Sequence, residues 1–501
     1  MSEIRQFYAG RNVFITGGTG FLGKGLVEKL LRSCEEIETV YLLVREKKGK
    51  TAQERIDSLL LEPVFDVLRT SFPNFSEKIH LVAGDVASEG LGLSAEDRER
   101  IVNEVSVIFH VAATVHFTER LDKAISLNVN GVKHMLDIAK ACKNLAVGVR
   151  VSTAFSNCVL GSIDEKLYAP PLSYREANDL CENLRNSDMS EDEIESVTKS
   201  VLKGWPNTYT FTKAIGEGVV AEFARELPFA VCRPSIVMNS YNEPTPGWIS
   251  GFNGLPAMLC AVSLGLNRVA LIDDDVRIDI VPVDYVYNAL ISCAWETAVT
   301  KERHHEDISV YNYVSGNEKP ITWRQFRKNY ERSGREKPSV QAIYYPFLLY
   351  TKSRFVCQVL QFLLNILPAL IIDGVARVLG KQPRIYHHFR LLKVATIIWK
   401  AWIAFEYFGT GQWDFKSHRV QNLWQRMGPT DKKEFPFNMQ EVDWEKHGAR
   451  LIEGSKKYLI KDPPGTEAKA KRRYIYLYII HSMVRLVLYS FAIWMVWKIL
   501  L

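Results

Sequence analysis

Tyr209 and Lys213 lie four residues apart at the head of a helix-forming run that continues to residue 225. That spacing sets both side chains on one helical face. An ammonium beside a phenol favours the phenolate and lowers its pKa, which would make Tyr209 a usable acid near neutrality. Ser152 and Thr153 follow the apolar run 147–151, and a hydroxyl from either could donate to the same substrate oxygen. A Tyr-x-x-x-Lys spacing is common in unrelated chains, so its weight depends on the elements that position it.

The first of those elements is Thr16-Gly17-Gly18-Thr19-Gly20-Phe21-Leu22-Gly23. A short apolar run, 12–15, precedes it and reads as a buried strand; residues 24–34 carry apolar positions at helical spacing. Gly17 permits a tight turn, Gly20 lets backbone approach a pyrophosphate, and Gly23 lets helix pack on strand. The helix N-terminus then offers free N–H groups and partial positive charge to phosphates. The stretch reads as a dinucleotide cradle.

A second strand, 39–44, ends in Arg45, where an NAD-binding fold usually places an acidic side chain for the ribose 2′-hydroxyl. Lys47, Lys48 and Lys50 follow. Cations there suit a 2′-phosphate through charge-assisted hydrogen bonds, which favours NADPH. A third strand is read over 79–86, with Asp85 at its end, suited to accept from the adenine amino group. A fourth, 105–110, runs into Val111-Ala112-Ala113, small residues where backbone would lie against a cofactor. With the fifth strand at 147–151, strand and helix alternate throughout. That alternation implies an α/β fold with a doubly wound parallel sheet and catalytic groups at the carboxyl ends of its strands.

The chain has 501 residues, 47% hydrophobic and 24% charged, enough for two or three domains with large cores. A formal charge of +6 is mild for this length, and no basic stripe interleaved with aromatics suggests nucleic acid. Eight cysteines show no C-x-x-C and no metal-ligand spacing; they read as reduced, mostly buried thiols of a cytosol-facing protein. The N-terminal residues have no apolar core of the kind a secretory signal carries.

Taken as an ordered set, these motifs resemble the extended short-chain dehydrogenases/reductases, and more narrowly the fatty acyl-CoA reductases of animals and plants. The matching stretches are 16–23, 41–45 with its basic tail, 109–115, 151–155, 206–213 and 231–237, extended by 244–248 and 281–286. The resemblance implies a Rossmann-type sheet over residues 1–340 with a smaller substrate lobe at about 235–340. A helical domain over 341–465 and a membrane-anchoring segment over 474–501 would follow. It implies NADPH held by Gly17, Thr19, Gly20, Phe21, Leu22, Gly23, Arg45, Lys50, Asp85, Ala112, Lys213 and Pro234. Tyr209 and Lys213 would form the catalytic pair, with Thr153 as hydroxyl partner and Ser152 beside it. The implied reaction takes a long-chain acyl-CoA to a primary alcohol through an aldehyde, for ether-lipid or wax synthesis. Two other readings are a dehydrogenase of a sterol-like lipid and a non-catalytic NADPH-binding membrane scaffold. His116 departs from the family pattern and reads as an ordinary loop histidine.

Residues 355–379 are strongly apolar but interrupted by Gln358, Gln361, Asn365, Pro368 and Asp373. A buried or membrane-facing helix pair suits that better than a clean span, since a central Asp costs about 2.5–3.5 kcal/mol. Residues 384–408 and 420–427 add amphipathic helices; His387, His388 and His418 are too scattered to form a ligand set. Lys469, Lys471, Arg472 and Arg473 then precede an apolar tail in which eleven residues between Tyr474 and Trp497 are Leu, Ile, Val or Phe. They contribute roughly −3 to −7 kcal/mol to insertion, against about +3 for Arg485. Basic residues on the N-terminal side place the catalytic domain in the cytosol, with Trp494 and Trp497 suited to an interface. A span, a shallow hairpin or an interfacial helix all remain open, and the resemblance allows the peroxisomal or the endoplasmic reticulum membrane.

Overall fold

The five apolar runs expected as strands form one parallel sheet in the computed structural model, which describes residues 2–47, 49–300, 308–380 and 390–500. Lys48, His387 and His388 lie outside the described residues. The strands are β1 (Asn12–Thr16), β2 (Thr39–Val44), β3 (Ile79–Ala83), β4 (Val105–His110) and β5 (Val147–Val151). Two more, β6 (Phe229–Pro234) and β7 (Ser309–Tyr313), extend the sheet, giving the order 3-2-1-4-5-6-7. Every neighbouring pair is parallel. β4 and β6 are buried along their whole length, as expected where helices cover both faces.

Helices α1 (Phe21–Ser33), α2 (Ala52–Leu60), α3 (Gly131–Ala141), α4 (Thr208–Phe223) and α5 (Val283–Val299) flank the sheet. α1 lies against the strands because Gly23 has no side chain: a Cβ there would come within 2.2 Å of the Gly17 carbonyl oxygen. The start of α4 is set by Asn207, whose side chain accepts from the Thr210 N–H at 2.9 Å. That cap puts Tyr209 in the first turn of the helix and Lys213 one turn further in.

Two compact units divide the chain, each built from three stretches: 1–248, 279–320 and 412–442 in one, and 249–278, 321–411 and 443–501 in the other. The sheet belongs to the first. Residues 412–442 join it through polar contacts that sequence patterning does not reveal. The Trp413 indole N–H donates to the Cys158 carbonyl at 2.8 Å, and the Tyr313 hydroxyl donates to the Phe437 carbonyl at 2.7 Å. The continuous ranges expected above are therefore not the boundaries of these spatial units.

The second unit holds a helix at Gly254–Ser263, a helix at Trp323–Glu336, and a short parallel pair formed by Val269–Leu271 and Leu349–Thr351. It continues with α6 (Arg354–Gln361), α7 (Leu367–Val378), α8 (Leu391–Thr410), α9 (Trp444–Gly454) and α10 (Glu467–Leu500). A wide turn at Phe362–Ile366 joins α6 to α7 without a break, and the Leu364 carbonyl, to which Pro368 has no N–H to give, accepts from Arg268. All eight cysteines are buried and unbridged, as the sequence suggested.

Candidate active site

The carboxyl ends of β1, β4 and β5 bring the glycine turn, Ala112 and Thr153 to one edge of the sheet. Thr16 pairs with His110 across β1 and β4, and His110 with Arg150 across β4 and β5. Gly17 adopts φ +77°, and a Cβ on it would meet the Ala112 backbone nitrogen at 2.6 Å. Gly17 and Ala112 thus face each other across a gap that only hydrogen can fill. Gly20 caps α1 without any side-chain hydrogen bond, leaving first-turn N–H groups for an anion. A dinucleotide pyrophosphate fits this cradle, the donor set being main-chain N–H groups at a helix start. Phe21 stacks obliquely on Trp248 at 5.2 Å, and Leu22 is half-buried beside it.

At the ends of β2 and β3, Arg45 pairs with Asp85 at 3.2 Å, both partly exposed. Asp85 also accepts from the Ala87 N–H at 3.0 Å, so its carboxylate is engaged by protein groups. Lys50 is exposed in a small bridge with Lys47. Arg55, on α2, went unrecognised in the sequence. Its guanidinium donates to the Arg45 carbonyl and, at 3.1 Å, to the Thr19 hydroxyl. Burial and the Arg45 charge both push the Arg55 pKa down, the mark of a cation lacking a counter-charge. No spacing rule links residue 55 to residues 19 and 45; only the fold brings them together.

Tyr209 and Lys213 share a face of α4, as their spacing requires. The Thr153 hydroxyl stands beside the Tyr209 phenol and favours its ionised form, and the Tyr209 ring stacks on Phe117 at 5.9 Å. The Lys213 Nζ donates to the Val151 carbonyl at 2.8 Å and lies 5.9 Å from the centre of the Tyr209 ring. The expected lowering of the phenol pKa is reversed. Burial pushes Tyr209 up to about 12, against the pull of the Thr153 hydroxyl and the Arg150 charge. Lys213 is itself pushed well below its ordinary value, first by burial and then by Arg150. Desolvation of both groups outweighs their proximity.

Ser152 departs from the expected hydroxyl pair. It is buried, and its Oγ donates to Glu217 Oε1 at 2.5 Å, away from Tyr209. Adjacent residues of an extended backbone point to opposite sides, so Thr153 and Ser152 cannot both serve one oxygen. Glu217 is the centre of a second buried cluster. Arg233 donates to it through Nε at 2.8 Å and Nη2 at 2.5 Å, and Ser156 through Oγ at 2.9 Å. Burial alone would raise the Glu217 pKa, but Arg233 and then Arg150 hold it below the usual value. Pro234 follows Arg233 at the carboxyl end of β6, buried beside β5. Glu217 could have been found in the sequence, since residues 209, 213 and 217 recur at helical spacing.

Arg150 lies fully buried behind this group. Its Nη2 donates to the Lys213 carbonyl at 3.3 Å, while Nε and Nη1 have no hydrogen-bond partner among the described residues. Gly216 makes room for it, since a Cβ there would meet Nη2 at 2.3 Å. His110 accepts from or donates to the Thr16 hydroxyl at 2.9 Å, and burial, then Arg150 and Lys213, hold it neutral. His116 is exposed in the loop after β4.

A parallel sheet in the order 3-2-1-4-5-6-7, a glycine cradle opening α1, and a Thr–Tyr–Lys group at the end of β5 define a nicotinamide-dependent oxidoreductase of Rossmann type. Residues 15–290 match the NAD-binding family model described as "Male sterility protein", and residues 364–462 match a second model of the same description. The chain is 36% identical over 499 residues to "Fatty acyl-CoA reductase wat" of Drosophila melanogaster, covering 100% of this chain and 94% of that protein. It is 35% identical over 462 residues to "Fatty acyl-CoA reductase 1" of Rattus norvegicus, covering 92% and 87%. Among solved structures, the terminal R domain of the myxalamid PKS-NRPS pathway superposes with TM-score 0.56 at 19% identity, covering 90% of this chain and 91% of that one. This chain belongs to the fatty acyl-CoA reductase family.

Proposed function

We propose that the protein reduces a long-chain fatty acyl-CoA to a primary alcohol in two rounds at one site, releasing CoA after the first. The observation that carries the reading is the Thr153–Tyr209 hydroxyl pair, at the strand edge that also carries the Gly17–Ala112 gap. The nicotinamide cofactor, when bound, supplies hydride to the carbonyl carbon. Thr153 and Tyr209 hold the carbonyl oxygen as negative charge develops on it; one such donor is typically worth about 2.7–4 kcal/mol. A phenol raised to about 12 stays protonated at neutral pH, the form a reduction needs in order to give a proton. Lys213, tied to the Val151 carbonyl, fixes the α4 face against β5 and presents its remaining N–H bonds beside the phenol. Collapse of the thiohemiacetal expels the CoA thiolate, and the aldehyde is reduced in the second round.

NADPH is the preferred cofactor in this reading. Arg55 donates to the Thr19 hydroxyl, Arg45 stands at the end of β2 paired with Asp85, and guanidinium pairs well with a 2′-phosphate. Arg45→Ala or Arg55→Ala should each raise KM for NADPH about ten- to a hundredfold, the loss of a charged hydrogen bond worth about 1.5–3 kcal/mol. KM for NADH should hardly move; an equal rise for both cofactors would remove these arginines from 2′-phosphate recognition.

α10 anchors the protein to a membrane with the catalytic unit in the cytosol. Its 467–498 stretch is 32 residues long, and none of its most apolar window is buried against the protein. A peroxisomal or endoplasmic reticulum location, and use of the alcohol in ether lipids or waxes, rest on the family resemblance.

The test of the reaction is stoichiometric. Detergent-solubilised enzyme given palmitoyl-CoA should consume two NADPH per CoA released and yield hexadecanol. A ratio of one with free aldehyde would overturn the alcohol-forming version; oxidation of NADPH with a sterol ketone, and none with acyl-CoA, would overturn the substrate.

A further inference from the structure

In α6 and α7 the usual arrangement of a surface helix is turned inside out. Gln361 and Asn365 are buried, at 1% and 4% exposure, while Phe355, Phe362, Ile371, Val375 and Val378 stand 50–87% exposed. The polar edge is satisfied by protein. Gln361 Nε2 donates to the Val269 carbonyl at 2.9 Å and to Asn267 Oδ1 at 3.3 Å, and Asn365 Nδ2 donates to Gln361 Oε1 at 2.5 Å. Asp373, which argued against a simple span, is also engaged: its carboxylate accepts from the Leu391 and Leu392 N–H groups at 3.2 and 3.0 Å, capping α8. Amides turned inward and large apolar side chains turned outward are the pattern a helix takes when the medium outside it is hydrocarbon.

We propose that α6, α7 and α8 form a second membrane element, which lies in the cytosolic leaflet with its polar edge on the protein and does not cross the bilayer. A 25-residue helix, 354–378, is long enough to cross, at about 1.5 Å per residue. Crossing would pull Gln361 and Asn365 away from Asn267 and Val269 and leave their amides unpaired in lipid, at a cost of several kcal/mol. Lying in the plane keeps those bonds and still wets the exposed side with acyl chains.

The occupant is lipid because this face continues into the root of α10. Arg268 donates to the Leu364 carbonyl in the turn between α6 and α7, and its guanidinium sits 4.6 Å from the centre of the Tyr344 ring. The Tyr344 hydroxyl in turn meets His481 Nδ1 of α10 at 3.1 Å, and Tyr345 packs on Tyr474 at 5.2 Å. Tyrosines gathered where an apolar helix leaves the body mark interfacial depth. Exposed cations, Arg354, Lys393 and Lys400 on the helix pair and Lys469, Lys471 and Arg472 before the span, suit anionic headgroups. The inference rests on the reading of α10 as the anchor for the orientation of the helix pair, though not for its contact with lipid.

The experiment uses the full chain, since an introduced surface cysteine can be labelled selectively when the eight native ones are buried. Phe362→Cys, Ile371→Cys, Phe491→Cys on α10 and Lys446→Cys on exposed α9 surface would each carry an environment-sensitive fluorophore. The proteins would be reconstituted in phosphatidylcholine–phosphatidylserine vesicles bearing nitroxides at shallow or deep acyl positions. Labels at 362 and 371 should shift to the blue and be quenched more by shallow than by deep nitroxides, with 446 unaffected. Quenching at 491 alone would overturn the proposal and leave the anchor standing; quenching at 362 and 371 alone would sustain lipid contact and remove the anchor. Deep quenching at 371 would mean that the helix crosses. Energy transfer between donor- and acceptor-labelled copies without nitroxide quenching would assign this face to a second copy of the chain. Either of these last two results overturns the proposal.

Discussion

Tyr209→Phe is expected to lower kcat at least about a hundredfold, the lower end of what a lost general acid costs, while leaving KM for NADPH and the melting temperature close to those of the parent. The substitution removes one hydroxyl and keeps the ring that stacks on Phe117 at 5.9 Å, so packing is preserved. Thr153 would keep its bond to the Phe155 N–H at 3.3 Å and would remain one donor to the developing oxyanion. What disappears is the proton. Burial holds the Tyr209 pKa at about 12, opposed by Thr153 and Arg150, so the parent phenol is fully protonated at neutral pH and the loss should be the same across pH 6–9, at roughly the hundredfold level. Rapid-quench measurement of CoA release, with cofactor binding followed by fluorescence, separates chemistry from binding. Near-normal turnover would remove Tyr209 from its role.

Glu217→Gln is expected to cost about 3–5 kcal/mol of stability, the effect of breaking a buried pair and stranding its partner. Arg233 is fully buried and bonded to Glu217 twice, and Arg150 lies buried nearby without another carboxylate among its partners. Removing the one negative charge leaves two guanidinium groups in the core. Denaturant midpoints would measure the loss. The double variant Glu217→Gln/Arg233→Met should recover part of it, because it removes the stranded cation as well; a double variant worse than the sum of the singles would show that the cluster contributes through packing instead. The pH dependence has a fixed sign. The folded carboxyl titrates below its ordinary 4.5 despite burial, through Arg233 and Arg150, so its stabilisation is present above pH 4.5 and is lost as pH falls through the folded value. The Gln variant should lose that acid-side slope.

The parts of the site legible in the sequence are those whose geometry is local. Gly17, Gly20 and Gly23 act within one turn, and Tyr209 and Lys213 within one helical repeat, so spacing alone places them. Arg45 and Asp85 were legible as strand ends. Their mutual pairing at 3.2 Å was not, because it depends on β2 and β3 being neighbours in register. Ser152 and Thr153 were indistinguishable as hydroxyls; strand alternation sends one to Glu217 and the other to Tyr209.

The sign of the Tyr209 pKa shift also needed the fold. Spacing supplies the neighbouring ammonium, but burial of both groups exceeds its effect and also depresses Lys213. Arg55 and Arg150 owe their places wholly to long-range packing, one beside Thr19 and the other in the space that Gly216 leaves open.

The sequence by itself determined the alternating elements, the phosphate cradle, the Tyr–Lys pair and the apolar tail, because each is encoded by periodicity or by backbone freedom over a few residues. Only the tertiary structure decided which hydroxyl faces the phenol, that the buried Glu217 carboxylate takes Arg233, and that Gln361 and Asn365 turn inward. Those outcomes depend on desolvation and on partners 16 to 94 residues apart, which no local pattern records.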